Sequence, residues 1–170
     1  MKSSRGFTLV ELLITVAMLA IIVSVGVPAM GNFIINQRIQ AQATALQATL
    51  QFARTEASSK NRIIKVIPRV NSNEGWASGW CVVTSDINNC NGSVIRQYPA
   101  VAGDVTISGN YLQTGTFISF RRDGTRSPAV SGGLKVSSPR LAPTAERARC
   151  IMLDAIGRVQ ISTITPGDNC

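Results

Sequence analysis

One carboxylate, Glu11, lies inside an otherwise uncharged apolar run over residues 7–27. A charge in such a segment is expensive in a bilayer unless paired, so it marks a functional site by default. The partner it needs is a cation, and the sequence can make one: a cut after the small residue Gly6 frees an amino group on Phe7. The competing reading is a shallow Glu11 that snorkels to the membrane interface, close to Gly6.

Cys81, Cys90, Cys150 and Cys170 form a second reactive set, with no C-x-x-C pair among them. In an exported domain four cysteines read as two disulfides with three possible connectivities. Cys81 with Cys90 and Cys150 with Cys170 is favoured, because each pairing closes a short loop rich in Asn, Gly and Asp. Reduced thiols in a cytosolic chain and a Cys-only zinc site are the alternatives. The sequence contains 0 histidines, which excludes His-dependent triads and His-containing zinc sites. It also lacks a P-loop, an H-E-x-x-H and a paired-carboxylate motif, so no enzyme, cofactor or metal is expected.

The third set is basic. The formal net charge is +8, which favours acidic partners such as nucleic acid or anionic headgroups, or serves solubility alone. Arg121, Arg122, Arg126, Arg147, Arg149 and Arg158 are the candidate phosphate contacts.

The elements that carry these groups follow from periodicity. Residues 1–6 are a basic leader, and the apolar run behind it has about the 20 residues needed to cross a bilayer. A secretory signal ends in its cleavage site, whereas here the small residue precedes the apolar run, so cleavage leaves the run on the mature chain. Lys2 and Arg5 put the N-terminus in the cytoplasm and the remainder outside. Residues 7–31 are therefore read as a transmembrane or filament-core helix, with a bend expected at Pro28. From 32 to 59, Ile35, Ile39, Ala43, Leu46, Leu50, Ala53 and Ala57 recur at steps of three and four, an amphipathic helix with one core face.

Residues 62–170 are β-rich. Strands are predicted over 63–67, 80–84, 94–98, 105–108, 117–120, 149–153 and 159–163, separated by turns such as Asn91-Gly92 and Asp123-Gly124. Residues 127–144, with Pro128, Pro139 and Pro143, read as one long loop. Trp76 and Trp80 are expected to pack in a core or at its edge. The fold class is α+β: a long N-terminal helix, one half in the membrane and one half amphipathic, packed on an antiparallel sheet head over 32–170.

Gly6-Phe7-Thr8-Leu9-Val10-Glu11 resembles the class III signal of type IV pilins and type II secretion pseudopilins. The resemblance implies a pilin-like fold, cutting between Gly6 and Phe7 by a prepilin peptidase, N-methylation of Phe7, and pairing of Glu11 with the N-terminal amine of a neighbouring subunit. Ala53-Arg54-Thr55-Glu56-Ala57, Trp76-Ala77-Ser78-Gly79-Trp80 and Phe120-Arg121-Arg122-Asp123-Gly124 are similar to stretches of the FimT/FimU and GspH group of minor pilins and pseudopilins. Gly157-Arg158-Val159-Gln160 is similar to the Gly-Arg-x-Arg of FimT-like pilins, where it implies DNA capture; here Gln160 replaces the second arginine, which weakens that reading. The expected partners are prepilin peptidase, other minor pilins, the major pilin and the inner membrane, with DNA as a further one. The expected role is a minor pilin near the filament tip that primes assembly for twitching, adhesion or DNA uptake. The alternatives are a DNA receptor for transformation and a minor pseudopilin of type II secretion.

Overall fold

The computed structural model describes residues 7–101, 103–113 and 115–170, and gives no side chains for 25–29. Gly6 and the Pro28 side chain lie outside the described set. The chain divides into two compact units, Met1–Ile34 and Ile35–Cys170, where the sequence suggested a division at 31/32. Helix α1 is assigned over Leu9–Ser59 and so contributes to both.

In the first unit α1 begins at a side-chain cap. The Glu11 backbone N–H donates to Thr8 Oγ1 at 3.3 Å, satisfying one of the donors a helix start leaves open. Thr8-x-x-Glu11 has the spacing of a capping box, in which a Thr and a Glu three residues on serve each other's N–H groups. Beyond it, Leu12, Leu13 and Ile14 are 60%, 61% and 51% exposed, so apolar side chains face outward all round the helix. Among the described residues no helix is long and apolar enough to cross a membrane. Residues 25–29 continue the apolar run in sequence.

In the second unit α1 supplies one wall of the core. Ile35, Ile39, Ala43, Leu46, Leu50, Ala53 and Ala57 are all buried, the stripe that the three- and four-residue spacing predicts. The strands are β1 (Ile64–Pro68), β2 (Trp80–Thr84), β3 (Arg96–Tyr98), β4 (Thr106–Ser108), β5 (Ile118–Phe120), β6 (Arg126–Ser127), β7 (Gly132–Ser137), β8 (Ala148–Leu153) and β9 (Val159–Ile164). They form two antiparallel sheets, ordered β3-β2-β1-β5-β6 and β4-β7-β8-β9. Ile64, Val66, Val82, Ile118 and Phe120 from the first sheet and Ile107, Leu134, Val136, Ile151 and Leu153 from the second meet the helix stripe in one core. Trp80 ties it together: its Nε1–H donates to Thr49 Oγ1 at 3.1 Å, and its ring stacks on Tyr98 with centroids 5.4 Å apart.

Central strand β1 is buried on both faces. On its outer face Ile67 joins Cys81, Val83 and Cys90 in a small second cluster, beneath the loop that the Cys81–Cys90 disulfide closes. Lys65 sits beside it, its Nζ donating to Asn88 Oδ1 at 2.6 Å; burial pushes its pKa down, against the pull of Asp86.

The expected loop over 127–144 is corrected by β7, which runs through Gly132–Ser137 between β4 and β8. Its sequence signal is short, since only Leu134 and Val136 alternate inward, and Gly132-Gly133 in front of them mimics a turn. Gly132 is there for space: a Cβ would come within 2.8 Å of the Tyr111 carbonyl. Pro128, Pro139 and Pro143 all fall outside the strand.

Three exposed carboxylates are held below the usual 3.8: Asp86 by the Thr84 hydroxyl first, Asp123 by the Thr125 hydroxyl first, and Asp168 by the Thr165 backbone N–H first. With each pKa lower folded than unfolded, the unfolded chain binds more protons in acid. Their contribution is therefore complete above the unfolded value and is lost as pH falls through the folded ones. Urea midpoints are expected to stay level from neutrality down to about pH 5 and to fall below about pH 4. Asp123→Asn and Asp168→Asn together should flatten that acid limb; a limb of unchanged slope would refute the assignment.

Candidate functional site

The first candidate site is the start of α1. Phe7 is 82% exposed and Glu11 stands in the first helical turn, where the helix dipole also favours a carboxylate. Gly6, the other half of the expected cleavage site, lies outside the described residues.

The second is the arginine set, which the fold divides. Arg126 has 0% exposure and donates from Nη1 to the Val130 carbonyl at 2.6 Å and from Nη2 to the Leu112 carbonyl at 2.8 Å. It is a structural cation that joins two loops, so its place among the phosphate contacts is corrected. Burial also lowers its pKa, which desolvation of a charged guanidinium requires. Arg149 is half-buried and donates from Nε to Gln40 Oε1 of α1 at 2.7 Å.

Arg121, Arg122, Arg147 and Arg158 remain exposed. The β8–β9 ladder pairs Arg149 with Thr163 and Leu153 with Val159, so Arg147 and Arg149 sit at one end and Arg158 at the other, roughly 13 Å or more apart. At the Arg158 end two turns meet. The Arg126 N–H donates to the Ala155 carbonyl at 3.1 Å, and a Cβ on Gly157 would strike the Gly124 carbonyl. The turn with Arg121 and Arg122 thus lies beside the turn with Arg158. Arg54 donates from Nε to the Gly124 carbonyl at 3.1 Å and fixes the end of α1 to the same junction. Asp123 and Asp154 share these turns and temper the positive charge. In the orientation that satisfies both side chains, the Gln160 oxygen accepts from Arg158 Nε at 2.7 Å, so the residue in place of a second arginine holds the first.

The cysteines pair as Cys81–Cys90 and Cys150–Cys170, and none is free. The second bond fixes the chain end against the outer face of β7 and β8, where Lys135 Nζ donates to the Pro166 and Asp168 carbonyls at 2.5 and 2.7 Å.

The family model described as Type II transport protein GspH matches residues 42–157, from the amphipathic stripe through both sheets. The chain belongs to the GspH family. A second model, the prokaryotic N-terminal methylation motif, matches residues 1–27. Two crystal forms of the type IV minor pilin FimU of Pseudomonas aeruginosa are similar to this GspH-family chain. They are 20% and 21% identical with TM-scores of 0.62 and 0.58, covering 76% and 72% of this chain and 92% and 91% of theirs. The minor pseudopilin EpsH of the Vibrio cholerae Type 2 Secretion System is 11% identical with a TM-score of 0.48, over 77% of this chain and 99% of its own. No curated protein sequence matches. The GspH-family chain thus has an α+β, type IV pilin-like fold and is a minor pilin or pseudopilin, a structural subunit that associates with others of its kind. Its methylation motif marks an N-terminus processed by prepilin peptidase.

Proposed function

We propose that this chain is a minor pilin of a type IV pilus, built in near the tip, where it helps to start assembly. Cleavage after Gly6 exposes the Phe7 amine, α1 bundles with neighbouring subunits, and Glu11 pairs with a neighbour's amine inside that bundle. The observation that carries this reading is the start of α1: apolar side chains exposed on every side with a single carboxylate among them. A helix that is apolar all round needs lipid or other helices to cover it, first in the inner membrane and then in the filament. A paired Glu11 also removes the cost of the one charge in that bundle. The test is detection of the full chain in sheared filaments, together with the number of filaments after its deletion. A chain absent from filaments whose number is unaffected by the deletion would sink the reading.

DNA capture is a second reading, favoured by the adjacency of the two turns that carry Arg121, Arg122 and Arg158. Changing the three together to Gln is expected to lower the salt slope of DNA binding by about 3, roughly one per phosphate contact. An unchanged slope would mean that the charge at this junction does not engage phosphate.

A further inference from the structure

Four strands end the two sheets, and three of their edges are short or covered. β3 and β4 have three residues each and β6 two, and β6 already donates its Arg126 N–H to Ala155. The fourth, β9, runs six residues as Val159-Gln160-Ile161-Ser162-Thr163-Ile164, with no proline, glycine or charge. Exposed edges are normally blunted by shortness, Lys, Pro or a bulge, because an open ladder recruits another strand. β9 has none of these, and its pairing with β8 is continuous across all six residues.

The phase of that ladder shows which backbone groups are open. The Asp154 N–H donates to the Arg158 carbonyl at 3.2 Å, which makes 154/158 a hydrogen-bonded pair. Antiparallel pairs alternate, so 153/159, 151/161 and 149/163 are non-bonded pairs. Val159, Ile161 and Thr163 therefore turn their N–H and C=O groups away from β8. Among the described residues no hydrogen bond reaches them from outside the sheet. The C-terminal segment does not cover them either: Cys170 and the Lys135 contacts hold it over β7 and β8.

We infer that the free edge of β9 is a docking strand for an extended segment of a neighbouring filament subunit, uncharged through its middle and acidic near its ends. Backbone pairing gives such a contact its affinity and the flanking side chains its choice of partner. The flanks are basic: Arg158 precedes β9, and Arg147 and Arg149 lie across from its far end. A second copy fits poorly, since each chain still carries a formal +6 after Lys2 and Arg5 leave with the leader. The inference rests on the filament reading above for the identity of the neighbour.

The test compares amide hydrogen exchange, residue by residue, in the full chain within isolated filaments and in the head alone. The head stands by itself because every residue of its main core lies within 35–170. The amides of Val159, Ile161 and Thr163 are expected to exchange at least about tenfold more slowly in filaments. Thr163→Pro should abolish that protection without unfolding the head, because a proline whose missing N–H faces outward is tolerated on an edge strand. Should that variant fail to fold, Thr163→Lys blocks the edge by charge instead. Equal exchange in filaments and head overturns the inference while leaving the filament reading intact. A chain absent from filaments overturns both. If the head alone sediments as a dimer with these amides protected, the occupant is a second copy and the inference is wrong.

Discussion

Arg126→Ala is expected to cost the head about 2–6 kcal/mol in urea denaturation, the range for two carbonyl acceptors that lose a charged donor. The guanidinium has no exposed surface and serves the Val130 and Leu112 carbonyls, acceptors that the shortened side chain leaves in place. Each buried acceptor stripped of its donor costs about 1–3 kcal/mol. Arg126→Lys keeps the charge but cannot present a fork to two carbonyls at once, so it should recover only part of the loss. Small domains hold only about 5–15 kcal/mol in all, so the alanine variant approaches the limit of folding at body temperature. A loss below about 1 kcal/mol would show that the two loops are held by something else.

Glu11→Val should reduce the amount of chain recovered in filaments by about tenfold or more while leaving the head's stability unchanged, because a buried amine without its carboxylate is strongly disfavoured. The structure places the same residue in the first turn behind the Thr8 cap, at the spacing from which a Glu side chain can serve the cap residue's N–H. Glu11→Gln separates capping from charge: glutamine keeps the capping-box side chain and loses the charge. If the Gln variant assembles as well as the parent, helix capping and not charge pairing is what assembly requires of this position. If it fails as the Val variant does, the charge is the requirement.

The α1 stripe was legible residue by residue, since its burial follows a period that a helix imposes on any sequence. Seven of the nine strands, all but β6 and β7, were also legible to within two residues at each boundary, as was the pairing of each cysteine with its near neighbour. What escaped was governed by contacts distant in sequence. β7 hides behind two glycines: a Cβ on Gly132 would meet the Tyr111 and Leu112 carbonyls and one on Gly133 the Cys170 Sγ, and no local pattern announces such contacts from distant segments. Arg126 looked like its neighbours Arg121 and Arg122 because residue type records charge and not depth. The Thr8-x-x-Glu11 cap was in plain view, but an intramembrane carboxylate has so strong a functional meaning that its local one was passed over.

Both disulfides close local loops, with sequence separations of 9 and 20, and neither joins α1 to a sheet or one sheet to the other. Under tension they act as sealed knots along a thread and not as rivets between plates. A filament pulled from its far end would load the helix–sheet seam with only packing and hydrogen bonds to resist. Once that seam opened, the head could pay out the stretch from α1 to β8 outside the two loops, and lengthen before any covalent bond bore the force.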